Sequence, residues 1–129
     1  PRDWSSDVCS SDLTGIITTI GGNGEDDYSG DGGRATEAAL SGPYGLALDA
    51  SGNLYVTDSN NNCVRKIDAA SGVIRTVAGR GTSGFSGDGG AVTRAQLFGP
   101  AGIAFSKGGD LYIADWANSR IRVVRGPIP

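Results

Sequence analysis

Apolar residues along the chain fall into short runs separated by clusters of Gly, Asn, Asp and Ser, not into the i, i+3, i+4 spacing of an amphipathic helix. Gly45–Asp49, Leu54–Asp58, Cys63–Ile67 and Val73–Ala78 are β-prone runs of this kind. The joins Ser51-Gly52-Asn53, Ser59–Asn62 and Asp68–Gly72 are short enough, and rich enough in turn-forming residues, for antiparallel hairpins. The pattern predicts a four-stranded meander. A sheet this small cannot bury both of its faces alone, so it needs a partner on each side.

The same pattern occurs twice. Gly15 aligns with Gly72, and the match runs without a gap to Arg65 against Arg122. Tyr28-Ser29-Gly30-Asp31-Gly32-Gly33 answers to Phe85-Ser86-Gly87-Asp88-Gly89-Gly90, and Gly42-Pro43-Tyr44-Gly45-Leu46-Ala47 to Gly99-Pro100-Ala101-Gly102-Ile103-Ala104. Gly52–Asp58 then answers to Gly109–Asp115, and Asn61 with Arg65 recurs as Asn118 with Arg122. Between successive sheets, Ala35–Leu40 and Val92–Leu97 have the spacing of about one helical turn, which Pro43 and Pro100 would end.

These residues resemble NHL repeats, in particular the glycine-rich subtype of large secreted or cell-surface proteins, teneurins among them. The motif is Pro-x-Gly-[Leu/Ile]-Ala, then Gly-[Asn/Asp]-Leu-Tyr-[Val/Ile]-x-Asp, then Asn-x-x-[Val/Ile]-Arg, present in both copies. The resemblance implies an all-β fold, a β-propeller fragment of about two four-stranded antiparallel blades out of the roughly six that close a ring. Repeat 1 is assigned to residues 15–71 and repeat 2 to 72–126, within a propeller segment 15–129. Residues 1–14 have no counterpart in the repeat and read as a non-native or disordered leader resembling a translated adapter or vector junction. Trp4 and Cys9 are therefore set aside.

Composition narrows the chemistry. Histidine is absent, which removes the commonest general base and zinc ligand from this chain. The net charge of −3 and the absence of a basic cluster disfavour a nucleic-acid partner, and no apolar run is long enough for membrane insertion by a helix. Cys9 and Cys63 form neither a C-x-x-C pair nor a disulfide framework. Gly79-Arg80-Gly81-Thr82-Ser83-Gly84 spells a dinucleotide fingerprint, but Phe85–Gly90 continues the glycine-rich loop where a helix should start. Asp58–Asn62 imitates the start of a calcium loop, yet Cys63 and Ala69 stand where glycine and a bidentate glutamate are required. No cofactor and no catalytic or metal-ligating residue is assigned.

A residue present in every blade is expected to maintain the blade. Gly30, Asp31, Gly87 and Asp88 are read in this way, as are Asp58 and Asp115, accepting hydrogen bonds from loop amides, and Asn61 and Asn118, pinning the following turn. Positions where the copies differ are the candidates for recognition, and alternating strands bring several of them to one face. Trp116, where the first copy has Ser59, joins Tyr28, Phe85, Glu25, Asp26 and Asp27 as the candidate binding face. These aromatics have a second reading, Tyr28 and Phe85 as fillers of the gaps between blades and Trp116 as the shield of a loop.

The expected function is a non-catalytic scaffold binding protein or glycan, part of a larger extracellular or cell-envelope protein. The alternative is a fragment of a gluconolactonase-like propeller hydrolase or a related lyase, from which the chain departs by offering neither His nor a Glu on a strand. Homo-oligomerisation through the ends is also expected. Ile16–Ile20 matches Val73–Val77 and reads as a fourth strand without its sheet, whereas the second copy supplies three strands without a fourth. Residues 15–71 carry 3 basic and 8 acidic side chains and residues 72–129 carry 7 and 3, so the halves are of opposite charge.

Overall fold

The computed structural model describes residues 15–129, and the assignment of residues 1–14 as a leader lies outside the described residues. The first sheet contains β1 (Pro43–Leu48), β2 (Leu54–Asp58), β3 (Cys63–Ile67) and β4 (Ile74–Ala78), paired in chain order. The second contains β5 (Pro100–Phe105), β6 (Leu111–Asp115) and β7 (Arg120–Val124), again in chain order. All pairings between these strands are antiparallel. The architecture is all-β, with the strands where the alternation of apolar runs and turn residues places them.

Register explains how each sheet covers two sides. Leu48, Leu54, Ile67 and Ile74 stand opposite one another across β1–β4 and therefore share a face. Ala35 and Ala38 of the preceding link close over Ile67 and Ile74 there, with Leu40 and Leu54 at the margin. The opposite face carries Tyr55, Val64 and Val77 into a larger core with Leu111 and Ile113 of the second sheet. Tyr55 meets Phe105 edge to face, with ring centroids 4.7 Å apart. Each fully buried aliphatic side chain contributes about 1.5–3 kcal/mol relative to exposure, so the sheet-on-sheet contact is the principal apolar bond between the repeats. The sheets stack face to face as adjacent blades.

The links between blades run along the outer strands. Short 3₁₀ turns form at Ala35–Glu37 and Val92–Arg94, where the alanine spacing predicts a helical turn. Extended backbone at Ala38 and Ala95 ends both before the prolines are reached. β1 and β5 each carry an irregularity just after their proline, Pro43–Leu46 and Pro100–Ile103, so the repeat extends to its bulges.

Ile16–Ile20, read as a strand without its sheet, forms no strand pairing among the described residues, and Ile16 and Ile17 are 64% and 95% exposed.

Candidate binding face

At the centre of each blade lies a buried arginine. In β3, Arg65 projects from a largely apolar strand and is completely buried. Its guanidinium donates to Asp58 Oδ2 (3.1 Å) and Asp31 Oδ1 (2.8 Å), and to the carbonyls of Ala39 (2.9 Å) and Ser29 (2.7 Å). Asp58, also fully buried, accepts from Ser41 N (2.7 Å) and Asn61 Nδ2 (2.9 Å). The end of β2, the middle of β3 and the glycine-rich link are thereby tied at one point. Charge-assisted bonds of this kind are short and roughly twice as strong as neutral ones, and they work against the desolvation of a buried pair.

The second blade repeats the arrangement. Arg122 donates to Asp115 Oδ2 (2.8 Å), Asp88 Oδ1 (3.0 Å), Gln96 O (2.9 Å) and Ser86 O (2.9 Å). Asp115 accepts from Phe98 N (2.8 Å) and Asn118 Nδ2 (2.9 Å). The aspartates accept from loop amides as expected, but Asn61 and Asn118 reach backward instead of pinning the turn that follows. Each spans from its aspartate to the long link, at Asp27 O (2.9 Å) or Gly84 O (2.8 Å). The 3₁₀ turns Ser59–Asn61 and Trp116–Asn118 end instead on the left-handed residues Asn62 and Ser119.

These contacts assign places to the candidate residues. Tyr28 lies over Arg65, its ring centroid 4.9 Å from the guanidinium carbon. Thr76 donates to Asp31 Oδ2 (2.7 Å), so the Tyr28 hydroxyl is the donor in its 2.7 Å contact with Thr76. Burial raises the Tyr28 phenol pKa, keeping that proton in place. Phe85 lies between Arg120 (3.9 Å) and Arg122 (4.8 Å) in cation–π contact with both. Both rings cover the arginine hubs while remaining partly exposed, 38% and 41%. Asp26 accepts from the Ser41 hydroxyl, and Asp27 from Tyr28 N (2.7 Å).

Glu25 and Trp116 are the more open members. Glu25 is exposed and lines, with Asp26, Gly42, Pro43 and Asn60, a cleft of 460 Å³. Trp116 is 74% exposed and opens the turn Trp116–Asn118, whose backbone is anchored by Ala117 N donating to Phe98 O (3.0 Å). The bonds from Asn61 and Asn118 to the links place the β2–β3 and β6–β7 turns on the face that carries Tyr28 and Phe85. On that face Tyr28 and Phe85 are engaged in packing over the arginines.

Three contributors lay outside the candidate set. Arg65 and Arg122 were legible as repeated residues at a constant distance from repeated aspartates, a signal that an ion pair is being kept. Thr57 was not legible, because Ala114 replaces it in the other copy. Its hydroxyl accepts from Gly45 N (2.7 Å) and donates to Ala101 O (2.8 Å), bridging the two sheets. A Cβ at Gly45 would lie 2.5 Å from that same carbonyl, so glycine there permits the close approach of β1 to β5. Asn62 adds a bond between blades by accepting from Gly99 N (3.0 Å).

Comparison with known proteins agrees with this architecture. The family model described as Teneurin NHL domain matches residues 14–86, and that described as NHL repeat matches residues 99–124. Human Teneurin-1 is 32% identical over 134 aligned residues, covering 89% of this chain and 5% of that protein. The chloroplastic protein Suppressor of Quenching 1 of Arabidopsis thaliana is 39% identical over 92 residues, 71% of this chain and 8% of its own length. An auxiliary nutrient binding protein from Bacteroides thetaiotaomicron superposes over 95% of this chain and 30% of its own, with a TM-score of 0.66 and 26% identity. The chain thus spans a small part of the length of each. With a family model covering more than half of its residues and the blade geometry repeated in both copies, the chain belongs to the NHL-repeat family.

Proposed function

We propose that residues 15–129 are part of a propeller that serves a larger extracellular or envelope protein as a non-catalytic scaffold binding protein or glycan. The observation that carries this reading is the division of labour between repeated and unrepeated residues. Asp31, Asp58, Asp88 and Asp115 are engaged by the two buried arginines, whereas Trp116, which replaces the Ser59 of the other blade, is exposed on a turn held by backbone bonds. An aromatic side chain on a rigid support gives apolar contact area at small entropic cost, the property of residues that dominate binding surfaces. The likeness to Teneurin-1 and to a nutrient binding protein supports a recognition role and a location outside the cytosol.

The test is binding of the full chain to a panel of immobilised polysaccharides and extracellular proteins, compared with Trp116→Ala. Replacing an anchor of this kind is expected to cost about 2 kcal/mol, roughly 30-fold in Kd, with the unfolding midpoint unchanged. Binding that survives Trp116→Ala undiminished would move the recognition surface elsewhere.

A further inference from the structure

Two positions of the repeat turn from small to aromatic between the blades, and they are neighbours. Ser41 and Ser59 of the first blade stand where Phe98 and Trp116 stand in the second. Ser41 is buried, its hydroxyl donating to Asp26, whereas Phe98 and Trp116 are 45% and 74% exposed. The backbone of Phe98 is bonded to the residues on either side of Trp116: its N donates to Asp115 Oδ1 (2.8 Å), and its carbonyl accepts from Ala117 N (3.0 Å). The indole lies against Gly99, where a Cβ would stand 4.0 Å from Cε3. Gly99 N in turn donates to Asn62 Oδ1 of the first blade (3.0 Å). Both rings are therefore carried by backbone fixed within its own blade and to the neighbouring one.

This exposure belongs to the positions themselves. Ser59 and Asn60, in the same turn of the first blade, are half-buried and exposed with the second blade packed beside them, and Phe98 is open although the first blade is in place next to it. The border of the rings is polar. Asn118 Nδ2 donates to Gly84 O (2.8 Å), which brings the link Thr82-Ser83-Gly84 against the turn that carries Trp116. Ser83 and Ser119 are engaged through their backbone, Ser83 O accepting from Gln96 Nε2 (3.4 Å) and Ser119 N donating to Trp116 O (3.1 Å). Among the described residues their exposed hydroxyls are left open.

We infer that Phe98 and Trp116 form one platform for a glycan, with the C–H face of a pyranose stacked on the rings and its hydroxyls bonded to the serine hydroxyls beside them. This rests on the recognition role proposed above and adds to it a second ring and a ligand class. An aromatic face is the negative side of the ring quadrupole, so it attracts the polarised C–H bonds that a pyranose presents on one side. The rim of the same sugar carries hydroxyls that lose water on binding and need partners. An anchor for a protein partner is ringed instead by contacts that exclude water, and here the border is open and hydroxylic. Phe and Trp have few side-chain torsions, so little conformational freedom is lost when the sugar settles on them.

Fluorescence of the full chain carrying Trp4→Phe, in which Trp116 is the remaining indole, tests this with soluble oligomers of glucose, mannose, xylose, N-acetylglucosamine and galacturonic acid. The expected result is a saturable shift of the emission by at least one of them. Phe98→Leu, which keeps apolar bulk for the half-buried part of the site but removes the ring, should weaken that binding about tenfold. Phe98→Tyr, which keeps the ring, should retain it. Emission unmoved by every oligomer overturns the inference, and so does binding that Phe98→Leu leaves at full affinity, which would assign it to Trp116 alone. Immobilised proteins held through Trp116 by a chain that binds none of the oligomers would overturn the glycan class and leave the recognition role standing. Failure of that role reads differently, as binding to protein or polysaccharide that Trp116→Ala leaves undiminished.

Discussion

Arg65 Nη1 lies 3.1 Å from Asp58 Oδ2 with both side chains completely buried, and Arg122 repeats the contact with Asp115 at 2.8 Å. A buried ion pair is a poor stabiliser against an apolar replacement of both partners, but breaking it from one side strands a charge in a low-dielectric interior. Arg65→Met is therefore expected to cost about 3–5 kcal/mol. Urea denaturation measures it directly through the midpoint. A loss no larger than that of an exposed arginine such as Arg75 would mean that Asp58 does not depend on the pair.

Gly30 and Gly87 sit in the positive-φ region, at 91° and 92°. A Cβ at Gly30 would stand 2.5 Å from Ala38 Cβ, and one at Gly87 would stand 2.6 Å from Ala95 Cα. Strained backbone and overpacking each cost about 1–3 kcal/mol. Gly30→Val and Gly87→Val should thus each lose roughly 3 kcal/mol or more. Asp27→Ala should lose about 1 kcal/mol, since it removes one exposed bond to Tyr28 N and keeps the carbonyl that holds Asn61. Melting curves of the three variants separate these outcomes, and equal midpoints would contradict the packing of the glycine link on the alanines.

Burial, with a further contribution from the Asp58 carboxylate, pushes the Cys63 thiol up to about 12. Since the thiolate is the reactive form, Cys63 should resist iodoacetamide at mildly alkaline pH in the folded chain and react once urea is added. Peptide mass spectrometry reads the modification. Alkylation in native buffer at the rate of a free thiol would show that β3 opens readily.

At the β1–β2 turn, Asp49 accepts from Ser51 N and Asn53 N (both 2.9 Å), from Asn53 Nδ2 (3.1 Å) and from Tyr55 OH (3.1 Å). Partial burial acts to raise its pKa, but these bonds outweigh it and hold the carboxyl below its ordinary 3.8. A depressed folded value means that the ionised form favours folding. The contribution is fully present above the unfolded pKa and is lost as pH falls through the folded one. Urea midpoints should therefore fall on acidification below about pH 4, and less steeply in Asp49→Asn than in the parent chain. Parallel profiles would remove Asp49 from the acid response.

The sequence by itself determined the strands, because alternating apolar runs bounded by Gly, Asn, Asp and Ser leave few other ways to satisfy the backbone. It also determined that there are two units, since the first three strands, the bulge after the proline and the aspartate–arginine pair recur at one offset. The loop face carrying Trp116, Tyr28 and Phe85 followed from strand alternation alone. Only the tertiary structure decided which of those residues remain open, because Tyr28 and Phe85 cover arginines brought to them from strands far along the chain. The bridge from Thr57 to Ala101 and the direction in which Asn61 and Asn118 reach belong to the tertiary structure for the same reason. Each depends on how closely two sheets approach, a distance no local pattern encodes. The state of Ile16–Ile20 shows the same division: its sequence is that of a strand, but a strand exists only where another edge is present to pair with it.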